Sequence, residues 1–444
     1  MASNGWTLKS IEELKAPTNG AIAIGPFGSR MKSDCYVSTG VEVIRGTNIS
    51  DTRVLVGDMV CITPQLADQL GNAIVHADDL VFPHRGSIGL VGIVPRNKTK
   101  RYALSSSLMK LTCDRKQVDP LFLFYFFRSD EGRHELLKNA STVGTPGIGQ
   151  PLSSLRAIKV PLPPLAEQKA IAAVLGALDD KIELNRRMNA TLEAMARALF
   201  QSWFVDFDPV RAKLDARQPA GLDLATAALF PDHLEDSPLG HIPKGWAAKS
   251  LPEAVEVNPR RTLKSGTIAP YLDMKNLPTQ GHSADEIVDR EFSSGTKFQN
   301  GDTLLARITP CLENGKTGYV DFLKAGQVGW GSTEYIVLVP KPPLPPQFGY
   351  LLARSDALRT HAIQNMTGTS GRQRVPSECF NSFLIAVPPS AIAHRFDELT
   401  APLMAKIKAN STESRTLATL RDTLLPKLLS GELSIAGVET EVLA

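Results

Sequence analysis

Residues 163 to 204, PPLAEQKAIAAVLGALDDKIELNRRMNATLEAMARALFQSWF, form the longest periodic segment of the chain and contain no proline after the opening pair. Proline is tolerated only in the first turn of a helix, so Pro163 and Pro164 mark an entry, and Pro209 is expected to block continuation beyond Asp208. Written as heptads, Ile171, Leu178, Asn185, Leu192 and Leu199 occupy the a positions, and Val174, Lys181, Met188, Met195 and Ser202 the d positions. This seam suits a paired helix and is interrupted by a polar residue at its middle.

The seam returns at an offset of 225 residues, where Phe396, Leu403, Asn410, Leu417 and Leu424 take the matching a positions. Leucine spacing alone would be shared by any two amphipathic helices. Here Pro163-Pro164 recurs as Pro388-Pro389, Lys181-Ile182 as Lys406-Ile407 and Thr191-Leu192 as Thr416-Leu417, and the central asparagines coincide.

The regions before the two helices repeat as well. Gly5-Trp6 followed by Lys9-Ser10 recurs as Gly245-Trp246 followed by Lys249-Ser250. VIRGTNI, ending at Ile49, is echoed by YLDMKNL, ending at Leu277, with Asn48 and Asn276 in register. Arg128-Ser129-Asp130 recurs as Arg354-Ser355-Asp356, and the loop GTPG at Gly144 as GTSG at Gly368. Each anchor is short, but their common order makes the chain two copies of one unit.

The first copy, residues 1–162, reads as strand-rich. Apolar runs at Val41–Ile44, Val54–Ile62, Leu80–Phe82, Leu90–Val94 and Ala103–Leu111 lie between turn residues, and a helix is expected from about Pro120 to Lys138. The expected organisation is α+β. Two similar mixed domains (1–162 and 241–387) are separated by two long helices (163–208 and 388–432) that pair as an antiparallel coiled coil, with a connector at 209–240, a tail at 433–444 and pseudo-two-fold symmetry.

Composition narrows the class. At 444 residues with 43% hydrophobic and 21% charged side chains, the chain should bury more than one core, and it has no apolar run near the 18 or so residues of a membrane span. Met1 to Gly20 has neither a basic start nor an apolar core, so a cytoplasmic location is expected. Cys35, Cys61, Cys113, Cys311 and Cys379 are single and read as buried thiols, not as a metal knuckle. A net charge of +3 says little about partners.

No catalytic constellation emerges. Gly315-Lys316-Thr317 resembles the end of a phosphate-binding loop, but its required first glycine would fall at Pro310. Gly86, Gly89 and Gly92 lack dinucleotide-binding spacing. An Asn-Pro-Pro-aromatic or Asp-Pro-Pro-aromatic tetrapeptide is absent, and Pro231-Asp232 lacks a following Glu-x-Lys. A duplicated unit offers two similar surfaces, which suits a two-sided partner such as DNA met by two reading heads. Arginine pairs with guanine, and asparagine or glutamine with adenine. The candidate DNA-binding side chains on that ground are Arg30, Lys32, Arg45, Asn48, Arg85 and Lys98 in the first head, and Arg260, Lys275, Asn276, Arg307, Arg372 and Arg374 in the second. Lys98 lies in a short basic tip, Arg96 to Arg101.

PLPPLAEQ (Pro161 to Gln168), the helix running on to FVDFDP at Pro209, and the Gly-Trp start of each half together resemble the specificity subunit of type I restriction-modification enzymes. The resemblance spans the whole chain. It implies two target recognition domains, each reading one half of a bipartite double-stranded DNA target. It also implies helices that dock two modification subunits and, through them, restriction subunits. S-adenosylmethionine would then sit on the modification subunit, and ATP and Mg on the restriction subunit, leaving this chain non-catalytic. Glu167-Gln168 has no counterpart at Ile392-Ala393, which points to different docking at that end. The repeat alone is equally compatible with a duplicated protein-binding scaffold that never touches DNA.

Overall fold

A computed structural model describes residues 6–26, 30–96, 101–141, 144–284, 286–369 and 371–435. It divides into two compact units. One comprises residues 1–184 and 414–444, the other 185–413, so each takes in a head together with half of each long helix.

The first long helix runs Leu165–Phe200 and the second Ser390–Ser430. In the first unit, Ile171, Ala172 and Leu175 are buried with Leu424, Leu428 and Leu429, while Asp179 accepts from Arg421 at 2.6 Å. In the second unit, Asn185 meets Asn410, and Phe204 meets Phe396 with ring centroids 4.8 Å apart. Within each unit the number rises on one helix as it falls on the other, so the helices pair antiparallel.

The strict heptad frame does not hold along the first helix. Met195, a d residue in that frame, is 50% exposed, whereas Ala196, Phe200 and Trp203 are buried. A straight helix has 3.6 residues per turn, so its buried stripe drifts out of a 3.5-residue frame along its length. The helix also does not run to Asp208. It ends in a π turn at Gln201–Val205, and Phe207, in the left-handed conformation (φ 56°), starts a new helix at Asp208–Leu214 with Pro209 in its first turn. The expected connector is part of a core: Val210, Ala227 and Phe230 are buried, and Trp203 packs edge-on against Phe230 at 4.9 Å.

The duplication is present in the strand pairing. In the first head, Ile22–Ile24, Leu108–Leu111, Leu80–Pro83 and Gly92–Ile93 form one antiparallel sheet in that order. In the second, Val255–Val257, Tyr335–Pro340, Thr303–Ala306 and Thr317–Tyr319 form its counterpart. A second sheet in each head carries one parallel pair, Val41–Ile44 with Tyr102–Leu104 and Ile268–Leu272 with Gly329–Gly331. The opening strands Thr7–Ser10 and Ala247–Ser250 pair with Lys159–Leu162 and Leu384–Val387, the strands that lead into the long helices.

Each short repeated motif has a mechanical role. Ser10 and Ser250 end their strands in capping boxes, with Glu13 and Glu253 accepting from both the amide and the hydroxyl of the serine. Arg-Ser-Asp marks a helix break. The expected helix from Pro120 to Lys138 is two, Pro120–Arg128 and Asp130–Leu137, because Ser129 is extended (ψ 160°) and caps Gly132. Ser355 does the same for Leu358. The apolar run from Ala103 to Leu111 is likewise two strands, parted at Ser105–Ser107, and only Val60–Ile62 of the run from Val54 is a strand. Of the cysteines only Cys113 and Cys379 are buried, while the other three are partly exposed. Burial raises the Cys379 thiol to about 11.

Candidate nucleic-acid interface

The antiparallel sheet of each head ends in loops that gather at one edge. In the second head, Asn258 leaves the strand Val255–Val257 in the left-handed conformation (φ 54°), which asparagine tolerates better than most residues. Its side chain accepts from the Val337 amide at 2.9 Å. This turn sends Pro259-Arg260-Arg261 off the sheet. Arg307 follows the strand Thr303–Ala306, and the segment Thr367–Arg374 is held against it by bridges from Arg374 to Ile308 and to Thr367. Arg260, Arg307, Arg372 and Arg374 therefore come from three loops of one edge. Arg260 and Arg372 are exposed, whereas Arg374 is engaged by Glu334 through two nitrogens, at 2.7 and 2.9 Å.

The first head repeats the arrangement. Arg30 and Lys32 are exposed on the segment after Ile22–Ile24. Arg85, exposed, follows Leu80–Pro83 and bridges to Gly147, as Ile308 bridges to Arg374 in the other head.

Three candidates serve the fold instead. Asn48 is 1% exposed. Its amide donates to the carbonyl of Val56 at 2.8 Å and accepts from the Arg45 amide at 3.0 Å, so it shapes its own loop and has no edge to offer a base. Arg45 is half-buried and donates to the Asp58 carbonyl at 2.8 Å. Asn276 donates to Glu286, both carbonyl and carboxylate, at 3.3 Å. Lys275 is exposed, although its carbonyl is held by Lys316 at 2.8 Å, which is the work of the lysine in Gly315-Lys316-Thr317. Lys98 lies outside the described residues. The ends of its basic tip are occupied, with Arg96 on Asp78 at 2.7 Å and Arg101 on Asp68 at 2.6 Å.

Arg261, Lys297 and Arg290 are not among the residues that the sequence pattern singles out. Arg261 donates to Gln299 and to Asp302, which is 1% exposed. Burial raises the Asp302 carboxyl to about 6, outweighing the Gln299 amide and Arg261 that pull it down. Arg290 stacks over Tyr271 at 4.9 Å, and Lys297 lies 5.0 Å from the Phe292 ring. Adjacency to Arg260 could have flagged Arg261. Nothing in the local sequence singles out Lys297, whose neighbours come from other strands.

Gln168, part of the segment that carries the resemblance, is 1% exposed. It accepts from the Asp119 amide at 2.9 Å and donates to the Pro163 carbonyl at 2.8 Å. In the second head Pro345 stands at the helix cap corresponding to Asp119 and has no N–H to satisfy, and Ala393, buried in place of Gln168, suffices. The missing glutamine thus reflects a missing donor inside the head.

Among the described residues no group of His, Cys, Asp and Glu could hold a metal ion, and no helix is long and apolar enough to cross a membrane.

Each head thus presents basic loops at one end of a four-stranded antiparallel sheet and continues into a long helix. Residues 28–194 match the model of the type I restriction modification DNA specificity domain. The chain is 25% identical over 385 residues to the HindI specificity subunit of Haemophilus influenzae, covering 76% of this chain and 82% of that one. It is also 25% identical over 388 residues to the MjaIX specificity subunit of Methanocaldococcus jannaschii, covering 84% and 82%. The crystal structure of the S subunit of a type I restriction-modification system from M. genitalium shares the fold, with a TM-score of 0.54 at 16% identity over 96% of this chain and 98% of that one. Over most of its length the chain is thus similar to specificity subunits of type I restriction-modification enzymes.

Proposed function

We propose that each head reads one half of a bipartite, asymmetric double-stranded DNA target, and that the paired helices set the spacing between the halves and dock two modification subunits. The observation that carries this reading is the recurrence of cationic side chains at corresponding loops of two heads that share the same four-stranded antiparallel sheet but differ in loop residues: Arg30 and Arg85 in one, Arg260 and Arg307 in the other. Like scaffolds with unlike loops suit two different half-sites. A helix of 36 residues is about 54 Å long, more than one turn of duplex at roughly 34 Å.

On this reading the chain works in the cytoplasm and turns over no substrate itself. Methylation with S-adenosylmethionine belongs to the modification subunits, and cleavage with ATP and Mg to restriction subunits held through them. The test is methylation-site sequencing of random DNA treated with the chain and its modification subunit. Replacing residues 241–387 by another head should change one half of the target and leave the other intact. If both halves stay the same, the division of labour is wrong. A heptad inserted into each long helix should lengthen the unspecified spacer alone. A duplicated scaffold without DNA contact predicts no sequence-dependent methylation at all.

A further inference from the structure

The basic edge of the second head encloses an open cleft of about 330 Å³. Arg260, Arg261, Lys297 and Arg307 line it beside Tyr335 and Gly295, and none of the described residues lining it carries a carboxylate. Of the acids beside it, Asp302 is committed to Arg261, and Glu334, which stands between the lining residues Thr333 and Tyr335, to Arg374. Gly295 (φ 150°) lets the wall approach closely, since a Cβ there would lie 2.2 Å from the Gly331 carbonyl oxygen.

Two of the cations are incompletely used by the fold. The Nε atoms of Arg261 and Arg307 are buried and have no hydrogen-bond partner. Arg307 is fixed by its backbone, which donates to Glu334 at 3.0 Å and accepts from Val375 at 2.8 Å, so its guanidinium does not need to hold the loop. Concentrating like charges in a cleft without an internal counter-ion destabilises the folded head, and such an arrangement persists where an anion offsets it.

The first head shows that the fold does not require this cluster. Strand register aligns Leu80 with Thr303, Leu108 with Tyr335 and Val75 with Phe298. His76 and Asp79 then correspond to Gln299 and Asp302, and the same local bond closes both turns, at 2.9 Å and 2.7 Å. On this alignment Ile74 stands where the second head has Lys297, His84 where it has Arg307, and Gly25 where it has Arg260. His84 is 6% exposed with Nε2 at 3.0 Å from the Ser106 carbonyl, and burial lowers its pKa, so it adds no cation at neutral pH. The cation near Asp79 is Lys110, which is buried and donates inward to the Ile74 carbonyl at 2.8 Å.

We infer that the cleft of the second head seats a phosphate group of the DNA backbone, held by Arg260, Lys297 and Arg307, and that the first head has no such seat. This rests on the DNA-reading function proposed above and deepens it: the second head anchors the duplex independently of sequence, and the two heads contribute unequally to affinity. Phosphodiester and free phosphate present the same oxygens, so the test separates them.

The experiment measures the salt dependence of binding by the chain with its modification subunits, on a long mixed-sequence duplex and on a duplex carrying the sequenced target. Arg260→Ala, at an exposed position, and Lys297→Gln should each reduce the slope of log affinity against log salt by roughly 0.9, the value of one lost phosphate contact. The loss should be equal on both duplexes, and target choice should not change. Thermal melting verifies that both variants fold. Inorganic phosphate, added at constant ionic strength, should displace duplex from the wild-type complex and not from the Arg260→Ala/Lys297→Gln variant if the seat also takes the free ion. If it displaces neither, the seat takes only the polymer's phosphate. An unchanged salt slope, or a loss confined to the target duplex with altered choice of base, overturns the phosphate seat while leaving DNA reading in place. A wild-type complex that binds neither duplex overturns the DNA reading itself.

Discussion

The side-chain amide of Asn185 donates to the backbone carbonyl of Asn410 at 3.3 Å, between two helices running in opposite directions. The same amide donates to Glu413 at 2.9 Å, Asn410 donates to Asn189 at 2.9 Å, and Asn189 donates to Ser411 at 3.1 Å. Both central asparagines are essentially buried. A polar layer of this kind fixes alignment, because sliding one helix by a turn would bury these amides against apolar side chains.

Asn185→Leu should therefore stabilise the paired helices by about 1 kcal/mol while relaxing their alignment. Glu413 is exposed and can return to water, so no buried acceptor is orphaned. Urea unfolding should show a higher midpoint, and hydrogen exchange should show faster opening of the central amides. A lowered midpoint would mean that the layer stabilises as well as aligns.

Asp179, 8% exposed, accepts from the Tyr125 hydroxyl at 2.7 Å, from Arg421 at 2.6 Å and from Arg128 at 3.3 Å. Asp179→Ala takes from the largely buried Arg128 the acid it pairs with, leaves Arg421 only the exposed Asp422, and removes the acceptor of the Tyr125 hydroxyl, so it should cost roughly 3 to 5 kcal/mol in urea unfolding. Asp180→Ala, which removes the exposed partner of Arg53, should cost at most about 1 kcal/mol. Equal effects would refute the ranking.

Gln168→Ala should cost about 1 to 3 kcal/mol, because the Asp119 amide loses its acceptor. The reverse graft, Ala393→Gln, should also destabilise. It forces an amide into a buried site, and the residue corresponding to Asp119 is Pro345, which has no N–H to donate. An Ala393→Gln chain as stable as the wild type would show that the second site is loosely packed.

The Asp302 carboxyl titrates near 6 in the folded chain, against about 3.9 for an unfolded aspartate. Between those values the folded chain keeps a proton that the unfolded chain has released. The stabilisation from this group is thus complete below about pH 4 and is lost as pH rises to about 6. The loss is on the order of 3 kcal/mol. Asp302→Asn should flatten that part of the stability curve measured by urea unfolding across this range. An unaltered slope would place the titration elsewhere.

The duplication, the two long helices and their polar centre were legible in the sequence because they rest on local rules: proline at helix entries, apolar spacing, and short motifs recurring in order. Trp246, Ser250 and Ser355 announced a second copy even though their work, respectively core, capping box and helix break, became visible only in the fold. Tertiary structure alone decided which polar residues are free. Asn48 and Arg30 look alike as candidates, but Asn48 is saturated by carbonyls from its own loop and Arg30 is exposed. It also decided which half of the first long helix each buried tyrosine meets. Aligned on the Arg-Ser-Asp break, Tyr350 stands one residue earlier on its helix than Tyr125, a rotation of about 100°. Tyr350 binds Glu193 on the C-terminal half of the first long helix, and Tyr125 binds Asp179 on its N-terminal half. The basic cleft belongs to this second class. Arg260, Lys297 and Arg307 are scattered along the chain, and only sheet register brings them together, because the charge that matters to a ligand is summed over space and not along the sequence.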